Sequence, residues 1–142
     1  MAHFFDFWVE IAYHRCYMSD NSFDFKEQWG KSAHIDLTGC EHDRLTSAPI
    51  LEAFVKGLVE KIGMMAHGPC YIDRFGSPDS DLEGYSAMQF IETSAITVHL
   101  DEVGNRAYID VFSCKDFVEQ EAFDFAKQYF GAQNGKLTTL KR

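Results

Sequence analysis

The chain has 142 residues, and 22 acidic against 13 basic side chains give it a formal net charge of −9 at pH 7. Hydrophobic types make up 46% and aromatic types 15% of the residues, which is enough for a real core and excludes disorder as the main state. No apolar run approaches the roughly 18 residues that span a bilayer, and the acidic balance argues against nucleic-acid binding. We expect a soluble single domain, without membrane or nucleic-acid partners, whose charge suits a small cationic molecule.

Four cysteines are scattered along the chain without a C-x-x-C pair. The first ten residues, MAHFFDFWVE, lack the basic region of a signal peptide and carry two acidic side chains. Disulfide frameworks belong mainly to secreted chains, so we expect reduced thiols and a cytoplasmic location.

The first half of the chain contains one clear helix. Residues 1–29 form an aromatic-rich extension of mixed period, and residues 31–40 read as a short strand closed by a glycine. The helix begins after Ser47 as N-cap, has a proline in its first turn, and ends at Gly63. Its apolar side chains recur at helical spacing: Ile50, Leu51, Phe54, Val55, Leu58, Val59 and Ile62.

The second half reads mainly as strands. The sequence predicts a strand at residues 69–75 and a polar loop at residues 76–84. It predicts one extended stretch at residues 86–101. Residues 103–106 predict a hairpin turn, and residues 107–114 the returning strand.

A second helix follows, with Asp116 as its cap and Gly131 as its end, and residues 136–141 add an edge strand. The order is strand, helix, strands, helix, strand. It predicts an α+β fold, a two-layer sandwich in which an antiparallel sheet carries both helices on one face.

The hairpin brings reactive residue types together. A two-residue turn at 104–105 places His99 opposite Asp110 and Ala95 opposite Cys114. Side chains on a strand alternate between faces, so His99, Asp110 and Cys114 share one face. A longer loop without a bulge flips one strand and breaks this grouping.

Ser94 lies at the far end of the same strand, beside Cys114, so the spacing permits a Ser/His/Cys site. The alternative is purely structural, because a cysteine on a strand is most often a small buried hydrophobe and a histidine there is usually half-exposed.

The stretch GYSAMQFIETSAITVHLDEVGNRAYIDVFSC, residues 84–114, resembles the short bacterial and archaeal S-adenosylmethionine decarboxylases. These are pyruvoyl enzymes of polyamine synthesis. Ser86 matches the serine of their G-V-S-G-like segment, and Ser94 matches the self-cleavage serine. His99 matches the second histidine of their E-S-H-x-S-x-H motif, and Cys114 matches the cysteine that ends a D-x-F-T-C strand.

The resemblance extends more loosely over residues 30–142, and it includes the segment GKSAHIDLTGC at residues 30–40. It implies a decarboxylase-like domain at 30–142, preceded by an extension at 1–29. The loop at 76–84 is longer than in the family.

The resemblance implies a specific chemistry. The Ser94 hydroxyl would attack the carbonyl of Thr93, and elimination with hydrolysis would leave a pyruvoyl group on Ser94 as the cofactor, with no metal. Ser86 and His99 would assist this cleavage. The pyruvoyl group would form a Schiff base with S-adenosylmethionine and act as the electron sink for decarboxylation. Cys114 would reprotonate the product carbon. The family also implies a homodimer or higher homo-oligomer, with active sites near the protomer interface.

The chain departs from the family pattern beside these matches. The departures are Thr93 for Glu, Ala95 for His, Val103 for Glu and Lys115 for Gly. Two carboxylates, Asp101 and Glu102, lie just upstream of the lost Glu position. Two alternatives therefore stay open: a related pyruvoyl decarboxylase acting on arginine or ornithine, and an unprocessed homologue that acts as a binding or regulatory protein.

Three other patterns have weaker functional interpretations. His67 with Cys70, and Cys40 with His42, are too dissimilar in spacing for a typical zinc site, so we expect no metal. The acidic run at 79–83 predicts a solvated loop. A final group of aromatic side chains predicts either core packing or stacking on an adenine ring; its members are Phe4, Phe5, Phe7 and Trp8.

Overall fold

The computed structural model describes residues 29–77, 81–92 and 94–142. These described residues form six strands and three helices. In chain order they are β1 (Lys31–Thr38), α1 (His42–Leu45), α2 (Ala48–Lys61), β2 (Ala66–Phe75), β3 (Gly84–Ile91), β4 (Ser94–Asp101), β5 (Arg106–Ser113), α3 (Glu119–Tyr129) and β6 (Asn134–Lys141). In this part of the chain no helix has the length and apolar character needed to cross a bilayer.

Some predictions concern residues outside the described ranges. The N-terminal extension lies there apart from Trp29, and so do Thr93 and the first two positions of the acidic run at 79–83. The aromatic cluster lies there as well: Phe4, Phe5, Phe7 and Trp8.

The six strands form one antiparallel sheet in the order β2-β3-β4-β5-β1-β6. Helix α2 packs on β2 and β3, and α3 packs on β1 and β6. The predicted α+β two-layer sandwich is confirmed, with one short additional helix, α1. The edge strand β6 is also confirmed, because it pairs with β1 alone.

Strand β1 illustrates how the sequence separates the two faces of the sheet. Ala33, Ile35 and Leu37 are fully buried beneath the helices. The intervening His34 and Asp36 point to the opposite face, which no helix covers in the described residues. We call this second surface the open face.

The two long helices are held together by aromatic rings. The Phe54 ring of α2 is fully buried, with centroids 4.6 Å from Phe130 and 5.2 Å from Tyr129. Gly57 lies one turn further along, and a Cβ there would meet the Phe125 ring at 2.8 Å. Glycine weakens a helix interior by roughly 1 kcal/mol relative to alanine, and here it allows α3 to approach closely.

The helix ends agree with the prediction at three points and differ at one. Gly63 and Gly131 follow α2 and α3 with φ of +66° and +60°, as expected for C-terminal stops. Ser47 occupies the N-cap position of α2, although its side chain makes no capping hydrogen bond. The prediction that Asp116 caps α3 is wrong, because Val118 is the N-cap and the Asp116 carboxylate instead pairs with Lys31 at 2.6 Å.

The predicted register of the β4–β5 hairpin is wrong by two residues. Asp101 pairs with Arg106, so that His99 faces Tyr108 and not Asp110, and Ala95 no longer faces Cys114. A four-residue loop replaces the two-residue turn because Asp101 closes it: the Gly104 amide donates to Asp101 Oδ1 at 2.8 Å, and Arg106 Nε donates to Oδ2 at 2.6 Å. A shift of two residues preserves the face on which each side chain lies.

The stretch at 86–101 is not one extended segment. It is divided between β3 and β4, which pair antiparallel with Ser86 opposite His99 and Ile91 opposite Ser94. Strand β3 ends at Ile91 and β4 begins at Ser94, and the Glu92 amide donates to the Met65 carbonyl at 3.0 Å. Ser94 is therefore the first residue of its strand.

The Asp101 loop gives a pH-dependent prediction. Burial raises the pKa of Asp101, but the Gly104 amide and then Arg106 outweigh this effect and hold the pKa below its ordinary value. Such a carboxylate stabilises the fold above its unfolded pKa of about 3.9, and this contribution is lost as pH falls through the folded pKa.

We therefore expect Asp101→Asn to lower the free energy of unfolding by about 1 kcal/mol at pH 7. Urea unfolding of both proteins should show this difference shrinking as pH falls below about 4. A difference that stays constant down to about pH 2 would contradict the assignment.

Candidate active site

Two of the predicted site residues meet at one end of the sheet. Ser94 begins β4, and its strand partner Ser113 ends β5, so that Cys114 follows directly beside it. Ser94 Oγ lies 3.6 Å from Cys114 Sγ, and both residues are half-buried. The prediction that Ser94 and Cys114 are neighbours is confirmed.

The other two predicted residues meet on the open face. Ser86 and His99 are cross-strand partners on β3 and β4, and a hydrogen bond of 2.5 Å joins Ser86 Oγ to His99 Nδ1. His99 is exposed, and the Phe75 ring lies with its centroid 6.1 Å from the imidazole. The hydroxyl is therefore held by a group able to accept or donate a proton.

The structure separates these two pairs within one chain. His99 is five positions from Ser94 along β4, which corresponds to roughly 16 Å at the usual rise per residue. Because this spacing is odd, the two side chains also start out toward opposite faces of the sheet. The four predicted residues therefore form two half-sites, Ser94–Cys114 and Ser86–His99.

A groove on the open face surrounds the Ser86–His99 half-site. It has a volume of about 650 Å³, and its lining includes Tyr71, Asp73, Phe75, Tyr108 and Asp110. Asp73 is the strand partner of Ser86, and Tyr108 is the strand partner of His99, so these four residues form a row across the sheet. Sequence reasoning missed this row because it depends on the β2–β3 pairing, which a bulge between His67 and Tyr71 shifts.

Asp110 shares the open face with His99, as predicted, but its partner is different. Asp110 Oδ1 lies 2.6 Å from His34 Nδ1 of the adjacent strand β1. The side chains of His34 and Asp110 are both substantially exposed.

A second cavity lies beside Cys114, with a volume of about 360 Å³. Three lysines and two carboxylates line it: Lys31, Lys115, Lys141, Asp116 and Glu119. Burial lowers the pKa of Lys31, but hydrogen bonds to Asp116 and then Glu119 outweigh it and raise the pKa above its ordinary value. The same bond to Lys31 lowers the pKa of Asp116. Lys31 is therefore a cation fully engaged by carboxylates.

The Cys40 and His42 pair, weighed above as a zinc site, has other surroundings. His42 Nδ1 lies 3.0 Å from Asn105 Oδ1, and burial raises the pKa of the Cys40 thiol to about 11. Across the described residues no group of three or more His, Cys, Asp or Glu side chains is arranged to hold a metal ion.

The comparison with protein families matches residues 31–142 to the S-adenosylmethionine decarboxylase model, which is more than half of the chain. The chain belongs to the S-adenosylmethionine decarboxylase family. Its fold is similar to a crystal structure of adenosylmethionine decarboxylase from Aquifex aeolicus, with a TM-score of 0.70 and 18% sequence identity. That match covers 82% of this chain and 92% of the Aquifex chain. Among curated protein sequences, none matches this chain.

In this member of the S-adenosylmethionine decarboxylase family, two carboxylates follow closely after His99, and both are engaged by arginines. Asp101 is paired with Arg106, and both oxygens of the largely buried Glu102 accept from Arg74, at 3.2 and 2.9 Å. Val103, which stands at the Glu position, is 62% exposed.

The same Arg74 also contacts Glu83, at the end of the acidic run, and its guanidinium lies 5.7 Å from the Tyr85 ring. Glu83 is therefore held against strand β2 by its ion pair with Arg74. Asp81 and Leu82 are exposed, as expected of a solvated loop. Arg74 therefore joins two carboxylates, Glu83 and Glu102, from different parts of the chain.

Proposed function

We propose that the chain is a cytoplasmic, self-processing proenzyme of a pyruvoyl-dependent S-adenosylmethionine decarboxylase, working in polyamine (spermidine) biosynthesis. The observation that carries this proposal is the placement of the Ser94 hydroxyl, at the first residue of β4 and 3.6 Å from the Cys114 thiol. Family membership supports the reaction class, a carboxy-lyase.

The residues around Ser94 fit a pyruvoyl group made from it. Only residues 92 and 93 separate β3 from β4, so the Thr93–Ser94 bond lies at the edge of the ladder. From Ser94 onwards the backbone is paired with β5, which holds a new chain end in place after cleavage. The thiol beside it is a proton donor of suitable reach.

Cleavage uses only side chains of this protein and one water molecule, with His99 and Ser86 contributed by a second protomer, because those of the same chain lie roughly 16 Å from Ser94 along β4. The Ser94 hydroxyl adds to the Thr93 carbonyl and displaces the Ser94 nitrogen, which turns the amide into an ester. Loss of the Ser94 α-proton expels the Thr93 carboxylate, and hydrolysis of the resulting imine releases ammonia. A serine hydroxyl needs a base or polarising group to react this way, and His99 with Ser86 would supply it.

In turnover, the pyruvoyl group would supply an electron sink for the electrons that the departing carbon dioxide leaves behind. Cys114 would then deliver a proton to the product carbon. Its position next to Ser94 gives the thiol access to the reacting carbon, whereas His99 of the same chain lies too far along β4 to compete.

We further infer a homodimer whose active sites combine the two half-sites. The open face exposes a row of large apolar side chains: Tyr71, Phe75, Met88, Phe90 and Tyr108. Such patches are typical of interaction surfaces. The two open faces would pack against each other about a two-fold axis that runs parallel to the sheet and perpendicular to its strands, midway between the half-sites. This would bring the Ser86–His99 pair of one protomer to the end of the sheet that carries the Ser94–Cys114 pair of the other.

The substrate would be cationic under this proposal. Asp73 and Asp110 provide carboxylates in the groove, and the exposed rings of Phe75 and Tyr108 offer π-faces that attract organic cations. A second candidate is a pyruvoyl decarboxylase acting on arginine or ornithine, because these amino acids are also cationic and Val103 stands where the family pattern has Glu.

The proposal is tested by the intact mass of the purified protein. We expect two chains, residues 1–93 and 94–142, the second with a blocked N-terminus that reacts with hydroxylamine. A single full-length species that is stable on incubation and inert to hydroxylamine would favour the unprocessed homologue with a binding or regulatory role.

The substrate is tested by release of labelled carbon dioxide from S-adenosylmethionine, arginine and ornithine in parallel. We expect S-adenosylmethionine to be decarboxylated with a kcat/KM at least about tenfold above that of either amino acid, corresponding to about 1.4 kcal/mol. Faster release from arginine or ornithine would transfer the assignment to the second candidate.

A further inference from the structure

The loop that carries Cys114 is fixed at its start by hydrogen bonds. The Lys115 amide donates to Ser113 Oγ at 3.0 Å, and Lys115 Nζ donates to the Gly63 carbonyl at 2.9 Å. Phe117 is 5% exposed, which anchors the middle of the loop in the core. Further along this loop, the carboxylates of Asp116 and Glu119 pair with a side chain from another part of the sequence.

That side chain is Lys31, the first residue of β1. Its ammonium lies 2.6 Å from Asp116 Oδ1 and 3.0 Å from Glu119 Oε2, and it sits 4.9 Å from the centroid of the Phe117 ring. One ammonium therefore contacts three side chains between Cys114 and the first turn of α3.

The burial of the Lys31–Glu119 pair separates it from ordinary surface ion pairs, because the two side chains are only 17% and 22% exposed. By contrast, the Lys56–Glu52 pair on α2 has side chains 64% and 46% exposed, where ion pairs contribute little. The Asp116 side chain is 94% exposed, so its pair with Lys31 is weaker than the Lys31–Glu119 pair. Lys31 is also the strand partner of Ser113, so it fixes the loop directly beside the residue that precedes Cys114.

We propose that Lys31 is a positioning residue that holds the Cys114 loop so that the thiol faces Ser94. The kinetic part of this inference rests on the proposed function, whereas the placement of the thiol rests on the geometry alone. Misplacing a reacting group by about 1 Å can cost as much as 100-fold in rate, so a loosened loop has a measurable effect. Lys31 acts through Asp116 and Glu119 and itself touches no reacting atom.

Thiol alkylation tests the placement without any pyruvoyl group. Lys31→Met is made in the Ser94→Ala background, which removes the processing serine, and iodoacetamide labelling is followed by peptide mass spectrometry. We expect labelling of Cys114 to become roughly fivefold faster, as local opening of the loop predicts. Cys40 is the internal reference, because it is 6% exposed and reacts only on wider unfolding.

Two further variants complete the labelling test. Lys31→Arg keeps the charge and should restore slow labelling of Cys114, while Lys56→Met removes a matched exposed lysine and should leave both thiols unchanged. An unaltered Cys114 rate in Lys31→Met would overturn the proposal. A parallel rise at Cys40 and Cys114 would also overturn it, because it indicates a general loss of stability.

The processed enzyme provides the kinetic test. Lys31→Met should lower kcat by roughly tenfold and leave KM within about twofold, since protonation and not substrate binding is impaired. The cleaved fraction should equal that of the wild type. A rise in KM with unchanged kcat would show that Lys31 binds substrate instead. If the wild type is not cleaved, the proposed function fails, and the labelling result still decides the role of Lys31.

Discussion

We expect Ser94→Ala to leave a single chain of residues 1–142 and to lower decarboxylation by at least about a thousandfold. Alanine has no hydroxyl to form the ester with Thr93, so neither cleavage nor the pyruvoyl group can follow. The fold should persist, because the strand partners of Ser94 on β3 and β5 bond to its backbone. Intact mass and carbon dioxide release measure the two effects on the same preparation.

Ser47→Ala is the matched control for this substitution. Ser47 occupies the N-cap of α2 without a side-chain capping bond, so its replacement should change neither cleavage nor stability. Decarboxylation by Ser94→Ala at more than a small fraction of the wild-type rate would show that the cofactor position is assigned wrongly.

Co-expression of His99→Ala with Ser94→Ala restores cleavage of about half of the His99→Ala chains. Each variant alone should remain full length. In a mixed dimer, one composite site combines the intact Ser94 of the first chain with the intact His99 of the second. Random pairing of equal amounts places half of the His99→Ala chains in such dimers. Intact mass distinguishes cleaved from full-length His99→Ala chains, so the substrate need not be known.

The control for complementation is a chain that carries both substitutions. Co-expressed with His99→Ala, it supplies a partner surface but no His99, so no cleavage should appear. If His99→Ala remains uncleaved beside Ser94→Ala, the half-sites do not act across protomers. Cleavage of His99→Ala alone would remove His99 from the processing machinery altogether.

The sequence was informative wherever periodicity alone decides the outcome. The apolar spacing of α2 and the stop at Gly63 were both found, since a helix ends where glycine adopts positive φ. Ser94 and Cys114 were placed together in spite of a wrong register. In the predicted register Ser94 lies opposite Lys115, and in the observed one it lies opposite Ser113, so Cys114 is one position away in both.

The predictions that the structure contradicts failed for specific reasons. Residues 92 and 93, which separate β3 from β4, include none of the glycine, proline or asparagine residues that usually mark a strand boundary, so the two strands were predicted as a single stretch. Asp116 was predicted to cap α3, but its carboxylate pairs with Lys31 instead. Lys31 lies 85 positions earlier in the sequence, so local sequence patterns do not indicate this contact. The separation of Ser94 from His99 follows from their five-residue spacing along β4, which the prediction of one Ser/His/Cys site overlooked; only the pairing of Ser86 with His99 depends on the β3–β4 register.

The strand order has a consequence for the life of the protein after cleavage. Residues 1–93 hold β1, β2 and β3, and residues 94–142 hold β4, β5 and β6. Of the five neighbouring strand pairs, three then join different chains: β3 with β4, β5 with β1, and β1 with β6. The fragments are interleaved and separate only by unfolding.

Refolding of the mature protein would then require two chains to find each other, so it becomes concentration-dependent, whereas the precursor folds as one molecule. Under the proposed cleavage, a mature molecule that unfolds and loses its partner fragment is in practice lost. Its working lifetime would be set by the rate of unfolding and not by the equilibrium between folded and unfolded states.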